Sequence, residues 1–203
     1  MTSTTTATTV NGTGSAAQRE RRQRMLEATI ELASQGGFEA VQMRAVAERA
    51  DVALGTLYRY FPSKIHLLVT ALGRQFAAAE AAVRRRAVPG DTPADRVIWV
   101  LKRTSRGLEA DQRLAEALTR AFMFADASVE AEIRRVGLLL TQMITYAINP
   151  ETALDEDPTE DEIAVARVIG DVWLSSLVAW VTGRSTPEET ADHMDRAVHL
   201  ILR

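Results

Sequence analysis

The 203-residue chain has no cysteine. That excludes a disulfide framework, a thiolate zinc site and a cysteine nucleophile. Its three histidines, His66, His193 and His199, are dispersed without the spacing of metal ligands. No apolar run approaches the roughly 20 residues that span a bilayer. The N-terminus lacks the basic stretch followed by an apolar stretch of a secretion signal. Nor is there a nucleophile–base pair, a metal cluster or a phosphate loop, which a helical enzyme would need. These absences predict a cytoplasmic protein that is not an enzyme, with no metal, no resident cofactor and no membrane partner.

What is present is a hydrophobic fraction of 46%, enough for a packed core, and a net charge of −3. The charge is unevenly spread. Residues 18–70 carry eight Lys/Arg against six Asp/Glu, a balance of +2, while the remainder carries 16 against 21, a balance of −5. A mildly basic head on an acidic body suits a protein that touches DNA with one end. Residues 1–17 are mostly Thr, Ala, Gly and Ser with no charged side chain, a composition expected to form a disordered tail.

The informative stretch runs from Ala50 to Lys64. A helical pattern over about Gln42–Ala50 packs through Met43, Val46 and Ala47. It is followed by a turn at Asp51, a residue that tolerates left-handed backbone better than most. A second short helix follows, anchored by Leu57 and Phe61 one turn apart, with Thr56, Tyr58, Arg59 and Tyr60 outward. Two short helices joined by a tight turn, the second bearing hydroxyls and a cation, form a helix-turn-helix. Upstream, a helix over about Gln18–Gln35 has Met25, Leu26, Ile30 and Ala33 on one face and ends at Gly36-Gly37. Its basic start, Arg19, Arg21, Arg22 and Arg24, either solvates the helix or reaches phosphates and the minor groove.

Val52, Gly55-Thr56-Leu57-Tyr58, Tyr60-Phe61 and Ser63-Lys64 resemble the signature of the TetR family of transcriptional repressors. Two positions depart from it. Asp51 stands where relatives have Gly, and Ala53 replaces the Ser whose hydroxyl caps the recognition helix and meets a phosphate. The run from Arg19 to Phe76 is similar to a branch of the family that controls cholesterol catabolism, and shares those two departures. The resemblance implies an all-α fold of about nine helices, with a helix-turn-helix domain over 18–65 and an effector-binding and dimerisation domain over 66–203. It implies a dimeric repressor on a near-palindromic double-stranded operator, its two recognition helices entering successive major grooves about 34 Å apart. Arg19, Arg22, Arg44, Tyr58, Tyr60 and Lys64 are the candidates for phosphate contacts. Gly55 and Thr56 lie where base edges come close. Arg59 meets a phosphate or a guanine, and Leu54 either packs inward or meets a thymine methyl.

Beyond Lys64 the chain reads as all helix. Ser63 can cap a helix running to about Arg86, before the break at Pro89-Gly90-Asp91. Thr92-Pro93-x-Asp95, Thr159-x-x-Glu162 and Thr186-x-x-Glu189 are further starts. Helices over about 112–124 and from about Ser128 lie between, and Pro150–Glu162 is an acidic loop. The helix after Thr159 is apolar on two sides. Ile163, Ala166, Gly170, Trp173, Leu177 and Trp180 form one face, and Val165, Ile169, Val172 and Ala179 another. One side would meet the chain's own core and the other a partner. With Met194, Val198 and Ile201 of the last helix, the first face is the predicted homodimer interface; completion of a monomeric core is the alternative.

Trp99, Leu101, Thr104, Phe122, Met123, Leu140, Met143, Trp173 and Ser176 are candidates to line a cavity, or are ordinary core. An apolar lining predicts a small apolar or amphipathic effector. The resemblance narrows this to a sterol-derived acyl-CoA, with a fatty acyl-CoA or a xenobiotic as the alternative. Arg103, Arg106 and Arg120 are the cations that could meet its charged end, or are solvated surface charge.

Overall fold

Three reciprocal caps set where three of the C-terminal helices begin. Thr92 accepts from the Asp95 N–H while Asp95 accepts from the Thr92 N–H, both at 3.1 Å. Thr159 and Glu162 repeat the exchange at 2.8 and 3.2 Å, and Thr186 and Glu189 at 2.9 and 3.2 Å. Each satisfies two amides that a helix start leaves without partners, worth about 1 kcal/mol.

The computed structural model describes residues 10–150 and 158–203, with side chains from residue 16 onward. Nine α-helices appear among the described residues: α1 (Val10–Ala40), α2 (Met43–Arg49), α3 (Leu54–Tyr60), α4 (Lys64–Arg84), α5 (Pro93–Glu109), α6 (Gln112–Met123), α7 (Glu130–Ile148), α8 (Glu160–Val181) and α9 (Pro187–Ile201). No strand occurs among them, as the resemblance implied. A single 3-10 turn, Ala127–Val129, precedes α7 and is capped by Asp126. Seven acidic residues were expected in the Pro150–Glu162 loop; its positions 151–157 lie outside the described residues.

The helix α1 begins earlier than its composition suggested, so residues 10–17 are helical rather than part of a disordered tail. Once a helix is nucleated, each added residue gains a backbone hydrogen bond, and Ala16-Ala17 favours the extension. The regular helix breaks at Gly36-Gly37, where Gly37 has φ 67° and ψ −159°. Only glycine adopts that backbone readily.

Met25, Leu26, Val46, Leu57, Phe61, Leu67 and Leu68 pack the N-terminal head. Val97, Leu101, Leu118, Met143, Ile144 and Ile169 pack the body, and one apolar cluster runs through both by way of α4. Helix α4 lies against α1 on one side and α6 and α7 on the other, and α8 pairs with α9. Arg96 reaches across to the end of α7, donating to the carbonyls of Ala147 at 2.8 Å and Ile148 at 3.0 Å. A cation there opposes the helix dipole's negative end.

Helix α8 corrects two expectations. Its 22 residues contain an 18-residue stretch of mean hydropathy 1.5, long and apolar enough, by length and composition alone, to cross a membrane. It also reverses the assignment of its two faces. Ala166, Trp173, Leu177 and Trp180, expected at a partner interface, are buried within the chain itself. The tilted contact of Trp173 with Phe76, with ring centroids 5.8 Å apart, shows why: the bulkier side chains of α8 fill the core. Met194 and Val198 of α9 are likewise buried, and Ile201 is half-buried. The outward side of α8 carries instead the half-buried Val165, Val172 and Ala179 and the exposed Val168; Ile169 is wholly buried.

Candidate nucleic-acid interface and ligand cleft

The turn between α2 and α3 is built as its residues require. Asp51 has φ 52°, the one positive value of a non-glycine residue among those described. The Val52 N–H donates to Ala47 O at 3.0 Å, which folds α3 back across α2. Ala53 precedes α3 without any side-chain cap. Leu57 and Phe61 are wholly buried and fix α3 to the head.

That anchoring turns the opposite face of α3 outward. Leu54 is 40% exposed and Tyr58 46% exposed, so Leu54 is not a core residue. Gly55 is exposed, and a Cβ there would meet nothing within 4 Å. The first turn of α3 is therefore bare enough for a close approach to base edges. Thr56 and Tyr60 are half-buried and Arg59 is exposed. Arg59 and Tyr60 share a shallow groove with Gln18 and Arg21 of α1. Sequence reasoning grouped Arg21 with the basic start of α1 but did not select it; only the crossing of α1 and α3 pairs it with Arg59.

The other selected cations have differing surroundings. Arg19 is exposed on α1. Arg22 lies over the Phe61 ring, 5.3 Å from its centroid. Arg44 faces Glu48 at 3.6 Å, a solvent-exposed pair that a phosphate can displace at little cost.

Lys64 departs from its expected role. Its ammonium sits 3.8 Å from the centroid of Phe38, and its side chain is only 23% exposed. Burial pushes its pKa below the ordinary value, with Glu39 opposing the shift and Arg120 adding to it. Arg120 approaches the same ring at 4.4 Å and pairs with Glu39 at 3.1 Å. Arg113 donates to Gln35 O, and Glu116 accepts from the Phe38 N–H. Three residues of α6 thus grip the Gly36–Glu39 turn. Lys64 and Arg120 belong to this joint, so each already has intramolecular partners where a phosphate or a ligand anion was expected. A second tie joins α4 to α7, where His66 Nε2 and Glu132 lie 2.9 Å apart.

A cleft of about 550 Å³ opens between α4, α6, α7 and α8. Of the residues expected to line a cavity, Phe122, Leu140 and Trp173 do so here, joined by Phe76, Ile133 and Leu177. Ile163, Ala166 and Gly170, expected at a dimer interface, are also cleft wall. Leu101 lines a separate hollow between α5, α8 and α9, and Thr104 a third between α4, α5 and α6. Trp99 stacks under Arg103 at 5.6 Å. Met123 is 55% exposed, and Met143 and Ser176 are core residues. The Ser176 hydroxyl is used by Val172 O at 2.9 Å. Arg134, Arg167 and Asp171 line the cleft and were not foreseen. Their signal in the sequence is weak, because α7 and α8 each carry several charges and nothing in the spacing marks which of them face the gap between helices. On α7, a Cβ at Gly137 would meet nothing within 4 Å, so the helix backbone itself forms part of the cleft wall.

Among the described residues no group of three His, Cys, Asp or Glu is placed to hold a metal ion.

Residues 25–71 match the model for bacterial regulatory proteins of the tetR family, and residues 90–201 match a tetracyclin repressor-like C-terminal domain. The chain is 54% identical to the HTH-type transcriptional repressor KstR of Rhodococcus jostii, over 92% of this chain and 84% of that protein. It is 52% identical to the KstR of Mycolicibacterium smegmatis, over 93% and 90%. A TetR transcriptional regulator from Rhodococcus sp. RHA1 superposes with a TM-score of 0.83 at 34% identity, covering 92% of this chain and 97% of that one. The fold is shared with Thermus thermophilus FadR in complex with lauroyl-CoA, at a TM-score of 0.68, 22% identity and coverage of 89% and 93%.

Proposed function

The chain belongs to the TetR family of bacterial transcriptional regulators and is a DNA-binding repressor rather than an enzyme; from that premise we propose that it works as a cytoplasmic homodimer released from a palindromic operator by an apolar or amphipathic effector. The observation that carries the effector reading is the cleft of about 550 Å³ lined by Phe76, Phe122, Leu140 and Trp173. Such a lining selects a large apolar body and offers few groups to orient a polar one. The relatives named KstR and the resemblance of the Arg19–Phe76 run favour a sterol-derived acyl-CoA and control of cholesterol catabolism genes. A fatty acyl-CoA is the second reading, favoured by the shared fold with a FadR that holds lauroyl-CoA.

On DNA, Leu54, Gly55 and Thr56 read bases, while Tyr58, Arg59, Tyr60, Arg21, Arg19, Arg22 and Arg44 position the head on phosphates. The dimer forms through the outward side of α8, with Val165, Val168 and Val172, and through Leu200 of α9, which is 59% exposed. This pairs apolar surface that the chain leaves open. An effector in the cleft touches α6 at Phe122 and α4 at Phe76. Helix α6 grips the Gly36–Glu39 turn, and α4 begins directly after α3. Displacing either helix changes the spacing of the two heads and so disfavours the DNA-bound state.

The test is fluorescence anisotropy on an operator selected from random DNA, titrated with a steroid acyl-CoA and with lauroyl-CoA. Release by the steroid thioester at lower concentration supports the first reading. Preferential release by lauroyl-CoA replaces it with the second, and operator binding indifferent to both would refute each.

A further inference from the structure

Helices α4 and α7 cross at one point and are tied at another. At the crossing α4 presents Gly73, where a Cβ would meet Val136 Cγ2 of α7 at 3.8 Å, so Val136 packs over the backbone of α4. At the tie, His66 Nε2 and Glu132 Oε1 lie 2.9 Å apart. His66 stands in the first turn of α4 and Glu132 in the first turn of α7. The two side chains are only 19% and 27% exposed. A charge-assisted bond so far withdrawn from water is stronger than a pair on the open surface.

Each partner faces a different part of the molecule. The His66 amide is held by the Ser63 hydroxyl at 3.1 Å. Its ring meets Phe61 edge-on, with centroids 5.9 Å apart and planes at 84°. Phe61 is wholly buried and ends α3. Glu132 therefore reaches the recognition helix through His66 and Phe61. On the other side, Ile133 follows Glu132 directly and lines the large cleft with Val136 and Gly137. Helix α4 adds Leu72 and Phe76, which flank Gly73. A body in the cleft thus bears on both helices beside their crossing. Neither His66 nor Glu132 is part of the cleft wall.

The spacing makes the pair sensitive to small movements. His66 is seven residues from Gly73, which at 1.5 Å per residue places it about 10 Å from the crossing. A rotation of α4 on α7 by about 5° moves His66 by about 1 Å, enough to carry a hydrogen bond beyond its working distance.

We propose that the His66–Glu132 pair is a latch that holds α4 to α7 in the DNA-binding arrangement and that an occupant of the cleft must break. This rests on the cleft being the place where the effector acts. Breaking the latch frees the first turn of α4 and, with it, the Phe61 contact that seats α3. The two residues set the sensitivity of release while touching neither DNA nor ligand. The route is separate from the α6 joint, which holds the Gly36–Glu39 turn.

The test is operator anisotropy on the full-length protein, with release by a steroid acyl-CoA and by lauroyl-CoA. The variants are Glu132→Ala, His66→Phe, His66→Gln and the double variant His66→Phe/Glu132→Ala. His66→Phe keeps a ring against Phe61 and loses the bond; His66→Gln keeps an N–H that can reach the carboxylate. The thioester concentration for half-release should fall about fivefold or more in Glu132→Ala and in His66→Phe, because the bond no longer opposes occupancy. The double variant should match either single one, and His66→Gln should stay near the wild type. Operator affinity without thioester should stay within about twofold, since the DNA-binding arrangement remains the dominant state. A merely structural pair would lower the melting temperature and leave the release concentration unmoved. Release of the wild type with no shift, a shift to higher concentration, or a shift in only one of the two single variants would overturn the latch and leave the cleft assignment standing. If neither thioester releases the wild type, the effector reading fails and the latch falls with it.

Discussion

The backbone N–H of Phe38 donates to the Glu116 carboxylate at 3.1 Å, joining the turn that ends α1 to the middle of α6. The bond is specific to a glycine-shaped backbone. Gly37 holds φ 67°, and a Cβ there would come within 3.1 Å of the same carboxylate. Phe38 then offers its ring to two cations, Lys64 and Arg120. The joint therefore touches α1, α4 and α6 at once, the helices that must move together if a ligand is to alter the head.

Glu116→Ala should leave the Phe38 amide without its partner and cost about 1–3 kcal/mol of stability. Its functional signature is separable. Operator affinity without effector should change little, while the effector concentration needed for release should rise. Urea unfolding and operator anisotropy check the two parts. An unchanged release curve would mean the signal bypasses this joint.

Phosphate contacts are distinguished by salt. Arg59→Ala should weaken binding to all DNA sequences alike and reduce the slope of log K against log salt by about 0.9. Lys64→Gln should leave that slope unaltered, because its ammonium lies on Phe38 beside Glu39. A lower slope for Lys64→Gln would return it to the phosphate contacts.

The interface prediction concerns Val168, 49% exposed on the outward side of α8. Val168→Asp should give folded monomers by sedimentation, with operator affinity greatly reduced because only one half-site is held. Trp173→Asp should instead unfold the body, since Trp173 is buried against Phe76. A persistent dimer in Val168→Asp would move the interface off this face.

Asp95 carries a pH prediction. The Thr92 hydroxyl, donating to its carboxylate, holds its pKa below the ordinary 3.8. A depressed folded-state pKa contributes stability that is present above the unfolded value and lost as pH falls through the folded one. The difference in melting temperature between the wild type and Asp95→Ala should therefore be largest above the ordinary value and shrink on further acidification. A constant difference would assign the whole effect to the uncharged part of the cap.

What the sequence revealed was what is local. Asp51, Leu57 and Phe61 define the helix-turn-helix within a dozen residues, and the caps at Thr92, Thr159 and Thr186 are each closed within a single turn. What it hid depends on distant chain. Lys64 looks like a phosphate ligand until α6 brings Arg120 and Glu116 to Phe38. Helix α8 is apolar on both sides, so periodicity alone could not say which side is core. The packing of Trp173 on Phe76 decides it. Of the expected cavity residues, Met143 and Ser176 share the helical spacing of Leu140 and Trp173, and only the gap between helices separates wall from core.

The most direct measurement concerns Gly137, where a larger side chain would project into the cleft without meeting neighbours within 4 Å at Cβ. Operator binding and its release by a steroid acyl-CoA should be compared for the wild type and Gly137→Leu. The account predicts equal operator affinity and a release curve shifted to about tenfold or more higher ligand in the variant, since the lost apolar contacts are worth at least 1.4 kcal/mol. Release at the same concentration in both proteins would contradict the claim that occupancy of this cleft controls the DNA-binding head.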